Sequence, residues 1–169
     1  GFADSPYQCF SAHAGNPNLI DLDLLVKEHL ISQDDLNVFS EFSPDRVDFE
    51  KVQNARKPVL EKAYESFNEK ADQTSRLKYR NFLKENYKWL DDYALFMAIK
   101  AHFNHKPWYL WDSEIRKREL GALDKYRNLL KEEIGYYKFL QYLFHQQWFA
   151  VREYAHKKSV KIIGDIPLY

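Results

Sequence analysis

The chain has 169 residues, and its 25 Lys and Arg balance its 25 Asp and Glu, so the formal charge is zero. That balance argues against a generally basic nucleic-acid surface and against a polybasic membrane segment. Its one cysteine, Cys9, excludes an intramolecular disulfide and fits a reducing compartment, so a cytoplasmic location is expected.

No stretch approaches the roughly 18 consecutive apolar residues of a membrane span. Asp4, Asp21, Asp23 and Glu28 interrupt the region where a signal peptide needs an unbroken apolar run. The chain opens on Gly1 and its sole methionine is Met97, so it is expected to be cut or processed from something longer. Aromatic residues make up 17% of the sequence and 12 are tyrosines, flat groups with a hydroxyl handle that serve helix cores and sugar-binding surfaces alike.

Residues 1–19 concentrate turn formers (Gly1, Ser5, Pro6, Gly15, Asn16, Pro17, Asn18) around Tyr7, Phe10 and Ala14, which predicts an ordered loop lying on a body. Asp21 is placed to cap a helix in which Leu22, Leu25 and Val26 share a face. Ser32 and Asp35 have the spacing of a capping box for a second short helix. From 49 to 67, Val52, Val59, Leu60, Ala63, Tyr64 and Phe67 recur at helical spacing, with Pro58 expected to break or kink the run because it lacks a donor N–H. Two further helices are expected at 77–89 and 91–103, the second crowded around most of its circumference by Tyr93, Ala94, Phe96, Met97 and Ile99.

PWYLW at 107–111 reads as an aromatic break, and helix resumes over 123–133. Tyr137, Leu140, Phe144, Trp148, Val151 and Ala155 then advance by three or four residues, which predicts one apolar stripe on a long amphipathic helix. Beyond His156, Lys157 and Lys158 come the β-branched Val160, Ile162 and Ile163, then Gly164 and Asp165, and Pro167 cannot donate to a ladder. A long helix that delivers a strand is the order of a parallel α/β arrangement, whose ligands gather at the carboxyl ends of strands. The fold class is therefore α/β, with most of this chain helical.

Asp165 is the leading candidate for ligand contact: a carboxylate at a strand terminus accepts hydrogen bonds from hydroxyls, and Gly164 lets a ligand approach closely. A turn aspartate capping a following helix is the alternative. Pro6 restrains Ser5 and fixes the relation of that hydroxyl to the Tyr7 phenol, an arrangement suited to polyhydroxyl ligands and also to an ordinary turn. His102 and His105 have the spacing for a shared metal, but no further ligand supports them and a helix-end role is the better reading. His145, Gln146 and Gln147 fall on faces flanking the core position Trp148 and are assigned to packing, and Cys9 reads as a structural thiol. Phosphate-loop, dinucleotide, HExxH and GxSxG patterns are absent, so nothing asks for a cofactor or metal.

Taken together, DSPYQCFSAHAGNPNLIDLDLL at 4–25, WLDDYALFMAIK at 89–100, WYLW at 108–111 and FLQYLFHQQWFAVREYAHKKSVKIIGDIPLY at 139–169 resemble glycoside hydrolase family 77, the 4-alpha-glucanotransferases. The resemblance implies part of a (β/α)₈ TIM barrel, which typically needs about 250 residues, carrying a mostly helical insertion. It implies a barrel-mouth loop over 1–19, helical insertion and barrel helices over 20–158, and a barrel strand with its carboxyl-end loop over 159–169. Family members transfer α-1,4-glucan segments between maltooligosaccharides by a retaining mechanism with an aspartate nucleophile and a glutamate acid/base. Nothing here matches those carboxylates, so the catalytic groups are expected in the remainder of the barrel. Ser5, Tyr7 and Asp165 match family positions that contact the sugar beside the scissile bond. Ala3 and His13 depart from the family pattern, which has glycine and an apolar aromatic there. A different reading remains open, a non-catalytic glucan-binding or interaction module with Trp108, Tyr109 and Trp111 as a stacking platform.

Overall fold

The computed structural model describes residues 9–164, which contain six α-helices and three 3-10 turns and, among the described residues, no strand. The expected caps are in place. The Asp21 carboxylate accepts from the Asp23 and Leu24 backbone N–H groups and starts α1, Leu22–Lys27. At the next turn, Gln33–Phe39, the Asp35 carboxylate reaches back to accept from both the backbone N–H and the hydroxyl of Ser32, each at 2.8 Å.

Helix α2 runs unbroken over Phe49–Lys70 with Pro58 inside it, so the expected break is corrected. Proline removes one donor, the partner of the Asn54 carbonyl, and both residues lie on the exposed face where water substitutes. The opposite face, Val59, Leu60, Ala63 and Phe67, is buried and carries the helix past the proline without a break. The two helices expected on either side of Leu90 are likewise one, α3, Gln73–His102, because no glycine, proline or cap interrupts the sequence there. Leu90, Ala94 and Ala98 are fully buried at four-residue spacing, and the alanines allow a close neighbour. That neighbour is α6, with which α3 makes its most extensive contact.

After α3, Asn104 and His105 adopt positive φ and the His105 N–H bonds back to the Lys100 carbonyl at 2.8 Å, a left-handed helix stop. The short α4, Ser113–Arg116, and α5, Leu120–Leu129, follow, and α6 spans Lys131–Lys157 after a break at Leu130. The helix expected over 123–133 is thus the end of one and the start of another.

Two apolar clusters form. Ile20, Leu25, Leu60, Phe67, Phe139 and Leu143 anchor one, between the early turns, α2 and α6. Leu95, Ile99, Trp111, Ile115, Leu123 and Tyr126 anchor the other, between α3, α4 and α5. Tyr137 on α6 packs against both. The middle of α6 is enclosed on every side, since Phe139 to Leu143 are five consecutive buried residues. Its second half is open: Trp148 is 37% and Val151 54% exposed, so the predicted core stripe ends near Phe144. Amphipathic spacing predicts a face to be covered, and no described residue covers this one.

Past α6 the chain turns at Ser159, with positive φ, and runs on irregularly from Val160. The expected strand is not formed among the described residues, nor is the parallel barrel. A strand exists only through a ladder partner, and Val160, Ile162 and Ile163 are exposed with none beside them. No described helix is long and apolar enough to cross a membrane.

Candidate loop scaffold

Ser5, Tyr7 and Asp165 lie outside the described residues, so the structure shows the supports that lead to them: the segment from Cys9 to Asp21 on one side and residues 159–164 on the other. The first is laid on α3 and α6 by a series of specific contacts. The Phe10 ring packs at 5.7 Å from Phe96, and the Lys100 ammonium sits 5.3 Å from its centroid. His13 stacks on Trp89 at 5.9 Å. The segment therefore runs antiparallel to α3, from Phe96 back to Trp89, before crossing to α6. His13 is exposed, so its imidazole meets water along one edge and an indole along its face.

At the crossing, the Gln141 side chain, fully buried, forms both halves of a peptide-like pair with Gly15: its Oε1 accepts from the Gly15 N–H at 2.8 Å, and its Nε2 donates to the Gly15 carbonyl at 3.0 Å. Gln147 repeats the device on Asp21, at 2.7 Å and 3.0 Å. Between them, Arg56 on α2 donates to the Pro17 and Ile20 carbonyls and closes the 3-10 turn Pro17–Leu19. Burial lowers the pKa of this guanidinium and the nearby Asp21 carboxylate works against that shift, so the group stays charged. Gly15 is required for room, since a Cβ there would overlap the Phe144 ring.

His145 packs beside this loop. Its ring lies among Phe82, Trp89, Phe144 and Phe149. Its Nε2 is buried with no hydrogen-bond partner among the described residues. Burial pushes the imidazole pKa down and the nearby His13 backbone opposes it, which favours the neutral ring.

Gln141, Gln147 and Arg56 hold the loop and are not singled out by the sequence reading. A lone polar residue inside the apolar run FLQYLF is the available signal for Gln141. His145 packs as expected, whereas Gln147, expected to pack, holds backbone instead. Arg56 offered no signal at all. His102 and His105 do not converge on a metal site, and no cluster able to hold a metal occurs among the described residues. His102 packs edge-on against Phe103 and Tyr126, and His105 belongs to the α3 stop. The aromatic platform is incomplete: Trp111 is buried and stacked on Phe103 at 5.8 Å, which leaves Trp108 and Tyr109 exposed. Trp108 borders a cleft of about 260 Å³ that also involves Phe96, Trp111, Arg116 and Arg118. Both arginines are engaged, Arg118 with Asp92 and Arg116 with the Tyr109 carbonyl.

The described residues therefore form a helical scaffold whose longest contact, α3 with α6, displays one aromatic-rich loop, with α6 leading directly into a second. The sequence profile of the 4-alpha-glucanotransferases, glycoside hydrolase family 77, matches residues 2–169, and the chain belongs to that family. It is 44% identical to a 4-alpha-glucanotransferase of Clostridium butyricum, over 99% of this chain and 34% of that protein. It is 40% identical to one of Thermus thermophilus, over 100% of this chain and 33% of that protein. Among solved structures, an amylomaltase from Streptococcus agalactiae in complex with acarbose superposes with a TM-score of 0.92 at 46% identity, covering 100% of this chain and 34% of that one. The chain thus spans about a third of the length of these relatives.

Proposed function

We propose that the chain is a segment of a longer 4-alpha-glucanotransferase that transfers α-1,4-glucan pieces between maltooligosaccharides with retention. In this reading Ser5, Tyr7 and Asp165 contact the sugar, and the nucleophile and acid/base come from the rest of that protein. The observation that carries it is the match of the entire helical scaffold, at 0.92, to an amylomaltase that binds acarbose. Two features support it physically. The loop downstream of Tyr7 is pinned from Phe10 to Asp21, a degree of ordering that suits residues holding a ligand in a fixed geometry. The β-branched, exposed run 160–163 suits a barrel strand whose neighbours lie elsewhere in sequence, with Asp165 at its carboxyl end. The remainder of the barrel also covers the open second half of α6. The protein works in the cytoplasm, without a nucleic-acid or membrane partner.

In a retaining transfer one carboxylate attacks the anomeric carbon while an acid protonates the departing oxygen, and an acceptor hydroxyl replaces the enzyme in the second step. Stacking on Tyr7 and hydrogen bonds from sugar hydroxyls to Asp165 hold the ring through both. Incubation with maltotriose tests this. The longer protein gives glucose and longer maltooligosaccharides, and residues 1–169 alone give none. Transfer by the isolated chain would refute the division of labour.

The exposed Trp108 and Tyr109 beside their cleft favour a second reading, a glucan-binding module without turnover. Calorimetry separates the two. Binding of maltooligosaccharide lost in Trp108→Ala and retained in Asp165→Ala supports the module, and the reverse supports the first reading.

A further inference from the structure

We infer that Gln141 and Gln147 are positioning residues that set the placement of the sugar-facing loop, an inference that rests on the proposed glucan contacts of Ser5 and Tyr7. Each carboxamide imitates a peptide unit and satisfies the N–H and the C=O of one loop residue, as a neighbouring strand does. The two glutamines are six residues apart on α6 and so are the residues they hold, Gly15 and Asp21.

Six helical residues rise about 9 Å, whereas six extended residues reach roughly 20 Å. The 3-10 turn Pro17–Leu19, closed by Arg56, takes up the difference. With about 100° of rotation per helical residue, Gln141, Phe144 and Gln147 lie at about 0°, −60° and −120°. The backbone from Gly15 to Asp21 thus straps across about 120° of the α6 circumference.

A strap fastened at both ends cannot slide along the helix or roll around it. Its upstream continuation, with His13 on Trp89 and Phe10 on Phe96, is aligned accordingly. Because α6 also leads into residues 159–164, one rigid helix fixes the loop that follows Tyr7 and the segment that precedes Asp165. The fully buried Gln141 has spent its acceptor and a donor on the loop, so an apolar side chain at 141 leaves the Gly15 N–H and C=O without those partners beneath the strap.

The test uses the longer protein with Gln141→Leu, which preserves apolar packing, and Gln147→Met at the more exposed clamp, should the first variant fold poorly. Native-state hydrogen exchange is read at the Gly15 and Asp21 amides, with the Leu95 amide of α3 as an internal control, and KM and kcat are measured with maltotriose. The expected result is exchange about ten-fold faster at the released amide or more, with unchanged exchange at Leu95, and a KM raised several-fold with a smaller change in kcat. Unchanged exchange at Gly15 and Asp21 in folded variants would overturn the clamp. Faster exchange with an unaltered KM would overturn its link to sugar. If the parent protein transfers no glucan, the proposed function fails, and the exchange measurement still decides the clamp.

Discussion

Gly15→Ala tests the seating of the loop on α6 most sharply. The added Cβ falls well inside van der Waals contact with Cδ1, Cε1 and Cγ of Phe144. Cγ lies near the root of the side chain, so rotation of the ring tip gives no escape. No described glycine has positive φ, so the penalty is steric and not conformational. Overpacking of this kind costs about 1–3 kcal/mol, and replacing glycine returns about 0.4–1 kcal/mol by restricting the unfolded chain. The net loss is about 1–2 kcal/mol, which lowers the melting temperature by roughly 2–8 °C in a chain of this size. Thermal denaturation followed by helical circular dichroism measures it. In a Phe144→Ala background the collision is gone and Gly15→Ala becomes neutral or slightly stabilising, so the double-mutant cycle returns a coupling of about 1–3 kcal/mol. Equal destabilisation in both backgrounds, or none in either, would refute the seating.

Trp111→Ala removes a buried indole and is expected to cost about 3–5 kcal/mol, while Trp108→Ala, at 55% exposure, stays within about 0.5 kcal/mol in the same urea titration. Asp35 accepts from Lys62 and from the Ser32 hydroxyl and N–H, which holds its pKa down to about 2. Because the folded value is the depressed one, this stabilisation is complete above about pH 4 and is lost as the pH falls toward 2, and Asp35→Asn flattens the acid limb of stability against pH. Half-buried His145 acts in the same direction at higher pH: stability falls as the pH drops through about 6.5, where the unfolded imidazole charges first. His145→Phe removes that component. Burial pushes Tyr142 up to about 12, and Tyr79, Tyr93 and Tyr136 are raised as well. Their stabilisation is full below about pH 10 and disappears above it, so phenolate absorbance from these rings should rise together with the loss of helical signal.

What could be read in the amino-acid sequence was what a few neighbouring residues decide. The Asp21 and Ser32–Asp35 caps and the enclosed faces of α3 and α6 follow from spacing alone. Pro58 and Leu90 misled because a local breaker, or an imagined boundary, was weighed without the buried face that carries a helix through it. Val160, Ile162 and Ile163 have the side chains of a strand, but pairing depends on residues far away in sequence. The loop clamps were invisible for a related reason: Gly15 to Gln141 and Asp21 to Gln147 each join residues 126 positions apart. Ser5, Tyr7 and Asp165 were singled out by motif resemblance, and the structure adds the scaffold next to them.

Tyr137 touches both apolar clusters, and α3 and α6 each contribute to both. Neither half can melt privately. Withdrawing α6 from one cluster bares Tyr137 to the other, so damage done at α2 is felt at α5 within the same cooperative event. A lesion in this stretch of chain therefore loosens the grip on the loop even when it falls as far from it as the α2 surface.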